Sequence, residues 1–315
     1  MSGIVRVLVV DDSAYVRKVF RQMLSRSPFV EVVGAARDGA EALELVAELQ
    51  PDVVTVDINM PSMDGVAFVR EQMARRPVPI LVITIASGAN ADVLAALDAG
   101  AVDFIQKPTA LATDRLLEIA DDLIEKVKDA AQASPVRAYH ASKVLTPETP
   151  RIPRSGLDTD IVVIGTSTGG PQALRLVLAQ LPNDFPVPVA MVLHMPVGYT
   201  AMYASKLDEL ASLDVLEAQG GEEVRAGRVF LAPAGQHLTF LRDSTGVVRT
   251  RLGIYPLDTL HRPSVDVLFQ SAAELYGARV LGVVLTGMGS DGRAGAAWIK
   301  AKGGRVVTEA EESCV

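Results

Sequence analysis

The chain has 315 residues, is 49% hydrophobic and carries a formal net charge of −8, which is long for one domain and comfortable for two. The acidic balance argues against a non-specific nucleic-acid binder, which needs a basic face to displace counterions. The single cysteine, Cys314, cannot form an internal disulfide, and the apolar start at Ile4–Val10 is too short to span a bilayer. These features lead to the expectation of a cytoplasmic protein without direct membrane insertion.

From the N-terminus, short β-rich runs recur at Ile4–Val10, Glu31–Ala35, Val53–Val56, Ile80–Thr84 and Asp103–Gln106. Stretches with helical spacing separate them, one opened at Ala40–Leu49 by the capping pair Asp38 and Glu41. Strand–helix alternation with Val/Ile-rich strands predicts a parallel sheet covered on both faces, α/β and doubly wound in flavodoxin-like order. Such sheets bind ligands at the carboxyl ends of their strands. Asp11 and Asp12 end the first strand, Asp57 the third, Thr84 the fourth and Lys107 the fifth. Crowded carboxylates repel, and a hard divalent cation such as Mg²⁺ relieves that with few protein ligands. With a lysine beside it, the pocket suits an incoming phosphoryl group, and Asp57 would accept it as an aspartyl phosphate. Plain metal binding without phosphotransfer is the alternative use of the same residues.

Between Ala130 and Thr159 the pattern dissolves. Pro135, Pro147, Pro150 and Pro153 follow a helical stretch at Ala112–Ala131 and mark a domain boundary. The boundaries read are 1–129, a linker over 130–159, and 160–315. The linker is either a passive tether or a hinge.

Apolar strands return at Ile161–Ile164, Val187–Leu193, Arg228–Leu231, Arg279–Leu285 and Arg305–Val307. Helical segments lie near Pro171–Leu181, Tyr199–Leu210, Val265–Tyr276 and Ala294–Lys302, and His237–Leu241 with Val247–Leu252 reads as a hairpin. This is a second α/β unit with a mainly parallel sheet. Its first strand runs into Gly165-Thr166-Ser167-Thr168-Gly169, which fits a G-x-S-x-G turn presenting a hydroxyl. The second strand ends at His194, and a late strand runs into Gly287-Met288-Gly289-Ser290-Asp291. A hydroxyl, an imidazole and a carboxylate on one sheet edge make a nucleophile–base–orienter set geometrically credible. Each element alone has a plainer use, as phosphate cradle, structural histidine or turn aspartate. Of the four histidines, His140 is in the linker, His237 opens the hairpin, and His261 competes with His194 as base or lines the substrate pocket. In His261–Asp266, Ser264 and Asp266 look like a helix cap and a first-turn carboxylate.

The segments VVDDS, VDINMPSMDG, VITIAS and FIQKP resemble the response-regulator receiver domain over about residues 3–125. That resemblance implies phosphorylation at Asp57, Mg²⁺ held by Asp11, Asp12, Asp57 and the Asn59 carbonyl, phosphoryl contact from Lys107, and a switch at Thr84. Phe104 takes the position of the family's mobile aromatic, or is an ordinary core residue. IGTSTGGPQAL, LHMPVGYT, HRPSVDVLF and LTGMGSDGRAG resemble the catalytic domain of the chemotaxis protein-glutamate methylesterases, which carry an N-terminal receiver. This implies Ser167 as nucleophile, His194 as general base, Asp291 as its partner and the Met288 N–H in an oxyanion hole, with no cofactor in that domain. It further implies hydrolysis of glutamyl methyl esters on chemoreceptors, glutamine deamidation, a chemotaxis histidine kinase as phosphodonor, and inhibition by the unphosphorylated receiver. The family pattern continues past a segment like Glu309–Val315, so the catalytic domain is expected to lack its C-terminal end. A catalytically inactive receiver that binds receptors as an interaction module is the competing reading. A DNA-binding output is rejected, because the second unit offers strands and glycine-rich turns instead of a basic helix-turn-helix.

Overall fold

The computed structural model describes residues 3–84, 90–107, 113–132, 158–310 and 314. They divide into two compact units. The first contains five strands: β1 (Val5–Val10), β2 (Val30–Ala36), β3 (Val53–Asp57), β4 (Ile80–Thr84) and β5 (Asp103–Gln106). Its helices are α1 (Ala14–Leu24), α2 (Gly39–Leu49), α3 (Gly65–Arg75), α4 (Asn90–Ala99) and α5 (Thr113–Gln132). The strands form one parallel sheet in the order β2-β1-β3-β4-β5. β3 and β4 are buried along their whole length, as strands covered on both faces must be. Val7, Val9, Leu81 and Ile83 meet Phe20, Leu24, Leu123 and Val127 in one core.

Local chemistry sets the helix starts. Ser13, Asp38 and Asp64 each cap a helix through the side-chain oxygen. At α2 the expected pair is present with one change: Asp38 accepts from Glu41 N–H, but Glu41 reaches back to the N–H of Arg37. α5 also runs through the first three residues of the expected linker. Ala130–Gln132 continue α5, because Val127 and Ala130 are still buried against the sheet. Residues 133–157 of the expected linker, with His140, lie outside the described residues.

The second unit is built on six parallel strands in the order β13-β12-β6-β7-β9-β8. These are β6 (Ile161–Thr166), β7 (Val189–Leu193), β8 (Asp214–Glu217), β9 (Arg228–Leu231), β12 (Val280–Val284) and β13 (Arg305–Thr308). β10 (His237–Arg242) and β11 (Val248–Gly253) form the expected antiparallel hairpin as a separate sheet. The helices are α6 (Gly170–Leu178), α7 (Thr200–Leu210), α8 (Val265–Tyr276) and α9 (Arg293–Ala301). β8 was not expected. α8 lies across β6, β7 and β12 and also meets the hairpin. Its Leu268 and Phe269 are fully buried, each worth about 2–3 kcal/mol of apolar transfer. β7, β9 and β8 lie on one side of β6 and β12 and β13 on the other, so the carboxyl end of β6 is a topological switch point. Among the described residues no helix is long and apolar enough to cross a membrane.

Candidate active site

Three adjacent strands deliver three side chains to this switch point. Ser167 follows β6, His194 follows β7, and Asp291 follows β12 in the turn before α9. Two threonines fasten the outer loops together. Thr166 Oγ1 donates to the Thr286 carbonyl at 2.8 Å, and Thr286 Oγ1 donates to the Thr168 carbonyl at 3.0 Å. The Thr286 carbonyl also accepts from Ser167 N–H at 3.0 Å. Gly287 lies against the serine: a Cβ there would stand 2.7 Å from Ser167 Cβ, and its φ of +149° is itself a glycine conformation.

His194 Nδ1 lies 3.2 Å from Ser167 Oγ, and His194 Nε2 lies 2.9 Å from Asp291 Oδ2. An ionised carboxylate only accepts, so the ring proton sits on Nε2 and the Nδ1 lone pair faces the serine hydroxyl. Asp291 has three further donors. Its Oδ1 accepts from Ser264 Oγ at 2.8 Å and Asp266 N–H at 3.0 Å, and its Oδ2 from Val265 N–H at 2.8 Å. The carboxylate thus sits on the N-terminus of α8, where the free N–H groups and the helix dipole favour an anion. Burial opposes its ionisation, but donation from His194, Asp266, Val265 and Ser264 outweighs burial and holds the carboxyl well below the usual range.

Ser264 caps α8 as expected, accepting from Val267 N–H. Its second contact, to Asp291, was invisible in the sequence. Asp266 also has another partner than its own helix: its Oδ1 accepts from Gly292 and Gly295 N–H at the start of α9. His261 does not replace His194. It stacks on it, with ring centroids 4.0 Å apart and planes 21° apart. Met288 is 47% exposed, and its N–H has no partner among the described residues. The constellation suits acyl transfer: a hydroxyl facing an imidazole lone pair, a fixed carboxylate behind the ring, and, one residue past Gly287, a backbone donor without a partner among the described residues.

In the first unit, Asp11, Asp12 and Asp57 each place a carboxylate oxygen within 4.8 Å of the others. Lys107 Nζ bridges Asp11 Oδ2 at 2.7 Å and Asp57 Oδ2 at 2.8 Å. Burial pushes the Asp57 carboxyl up, with Lys107 offsetting this only in part and the Asp11 charge adding to it. Burial also opposes the charge on Lys107, yet its hydrogen bonds to Asp11 and Asp57 keep its pKa above the ordinary value. Asp57 Oδ1 is buried without a hydrogen-bond partner, a costly state that a cation or phosphoryl donor would relieve. Lys107 pairs with two of the three carboxylates, and Asp12 is exposed to solvent; this donor set fits Mg²⁺. Asn59 is exposed just after β3, where Gly65 lets the next loop fold back: a Cβ would stand 2.3 Å from the Asp57 carbonyl. Thr84 is buried at the end of β4. Phe104 is buried on β5 opposite Val82, with Lys126 Nζ 6.0 Å above its ring.

Fold and site define a class, a receiver-type acidic pocket and an α/β unit with a Ser–His–Asp constellation on one chain. The response regulator receiver domain family matches residues 7–121, and the CheB methylesterase family matches residues 162–315. A protein-glutamate methylesterase/protein-glutamine glutaminase of Myxococcus xanthus is 50% identical over 99% of this chain and 89% of its own. One from Symbiobacterium thermophilum is 42% identical over 99% of this chain and 88% of its own. The solved catalytic domain of Thermotoga maritima CheB methylesterase is 43% identical, covering 50% of this chain and 82% of its own with a TM-score of 0.48. The chain belongs to the protein-glutamate methylesterase/protein-glutamine glutaminase family and carries a response-regulator receiver domain.

Proposed function

We propose that this chain is a phosphorylation-activated serine hydrolase that removes methyl esters from glutamate side chains of chemoreceptors. Residues 1–129 serve as receiver, 130–159 as linker and 160–315 as the catalytic domain. The observation that carries the reading is the continuous bonding from Ser167 through His194 to Asp291. Ser167 Oγ attacks the ester carbonyl as its proton passes to His194 Nδ1. Asp291, fixed by the α8 N-terminus, stabilises the imidazolium through Nε2–H. The Met288 N–H donates to the oxyanion. The ester C–O bond breaks, His194 returns the proton to the leaving oxygen, and methanol departs. Water then attacks the acyl-enzyme with His194 again as base, releasing glutamate and restoring Ser167. With a glutamine substrate the same steps release ammonia.

In the receiver, Asp57 accepts a phosphoryl group from a chemotaxis histidine kinase. Asp11, Asp12, Asp57 and the Asn59 carbonyl would hold Mg²⁺, which when bound would supply positive charge against the phosphoryl oxygens. Lys107 contacts the phosphoryl group, Thr84 turns toward it, and Phe104 follows as the mobile aromatic. The unphosphorylated receiver restrains the hydrolase, and phosphorylation releases it. The receiver and methylesterase families that the chain matches support work in the cytoplasm. Methanol release from methylated receptor, with and without beryllofluoride plus Mg²⁺, tests the reading. Release that rises with the mimic is expected. No release in either state would leave the binding-module alternative.

A further inference from the structure

One imidazole takes no part in the chemistry above. His237, the first residue of β10, is fully buried. Both ring nitrogens are engaged. Nδ1 lies 3.2 Å from the Ser264 N–H, and Nε2 lies 3.2 Å from the Pro256 carbonyl and 3.4 Å from Thr259 Oγ1. A backbone N–H only donates, so Nδ1 must be the acceptor and the ring proton must sit on Nε2. The ring is therefore neutral. Burial pushes its pKa down against the pull of the Pro256 carbonyl; of the charged groups facing it, Arg262 adds to the fall and Asp291 opposes it.

Each nitrogen leads to a different part of the site. Through Nδ1, the ring holds the cap of α8, whose Ser264 hydroxyl bonds Asp291. Through Nε2–H, it holds the loop from Ile254 to Arg262. That loop carries exposed Tyr255, Leu257 and Leu260, and it sets His261 on the face of His194. Its far end is tied by the Arg262 carbonyl, which accepts from Gly235 N–H two residues before His237.

We propose that His237 is a positioning residue, which through Ser264 aligns Asp291 and through Pro256 fixes the loop that borders the substrate. The inference rests on the triad reading given above. A rigid ring with an acceptor at one position and a donor at the other is what the two tasks require together. Gln mimics only the outer nitrogen and Asn only the inner one, so the two arms can be cut separately.

The test is steady-state hydrolysis of methylated receptor by the full chain carrying His237→Gln or His237→Asn. His237→Gln keeps the loop arm and loses the Ser264 arm; kcat should fall roughly tenfold with KM within about twofold. His237→Asn keeps the Ser264 arm; KM should rise roughly tenfold with kcat within about twofold. Equal effects of both variants on one parameter, or no effect of either, would overturn the proposal. Because His237 is buried, a wild-type measurement stands beside the variants. The ¹⁵N spectrum of the ring at neutral pH should show a proton on Nε2 alone, and a proton on Nδ1 would overturn the assignment even if neither variant folds. Fluorophosphonate labelling of wild-type Ser167 separates the two levels. If the wild type is not labelled, the triad reading fails; if it is labelled and the variants do not split, only the role of His237 fails.

Discussion

At the scale of single residues, Asp291 sets the tautomer of the His194 ring. It gathers four donors, and a neutral amide in its place could not accept from all of them. Asp291→Asn should lower kcat by roughly 10³–10⁴-fold, because the amide N–H competes for the wrong imidazole tautomer. Methanol release at saturating receptor checks this, and a loss under tenfold would contradict it. The same carboxylate gives a pH-dependent stability. Its pKa in the folded protein is lowered, so its contribution is fully present above the ordinary value of about 3.9. It is lost as pH falls through the lower folded value. Urea unfolding should show Asp291→Asn less stable than wild type by about 2 kcal/mol at pH 7, with the gap shrinking below about pH 4. A gap that holds constant into acid would mean that the ionised form contributes nothing special.

At the scale of elements, the site is two helix N-termini and three strand ends fastened to one another. Asp291, from the turn before α9, sits on the N-terminus of α8, while Asp266, from α8, bonds the first N–H groups of α9. Each carboxylate satisfies donors that a helix start leaves open. Gly287 is the close contact between the β12 loop and Ser167. Gly287→Ala should lower esterase activity at least roughly tenfold while circular dichroism stays that of a folded protein; full activity would show that the loop yields without cost.

The sequence carried the main elements because buried parallel strands read as Val/Ile runs and their ends as Asp, Ser, His and Lys. It did not carry β8. That strand has four residues, lies at the sheet edge and buries only Val215, so neither length nor alternation announced it. Ser167 and His194 were legible because each directly follows a strand, and Asp291 because it closes the glycine-rich turn between a strand and a helix. Ser264 and His261 were legible only as a cap and a rival base, since their bonding depends on ring orientation and on a hydroxyl that both donates and accepts. The bridge of Lys107 across Asp11 and Asp57 follows the same rule: strand ends placed the groups near one rim, but only coordinates gave the partners.

At the scale of the whole molecule, an acidic pocket on one unit is proposed to govern a hydrolytic site on the other. Asp57→Asn should keep the basal esterase rate and abolish its rise with a small-molecule phosphodonor. Continued activation would place the phosphoryl group elsewhere. All of this presupposes a nucleophilic Ser167. The most direct measurement is mass spectrometry of the full chain after fluorophosphonate treatment. The account predicts one adduct, on the peptide containing Ser167, absent from Ser167→Ala and strongly slowed in a His194→Ala variant. A wild-type protein that takes up no label at Ser167, or is labelled as fast without His194, would contradict it.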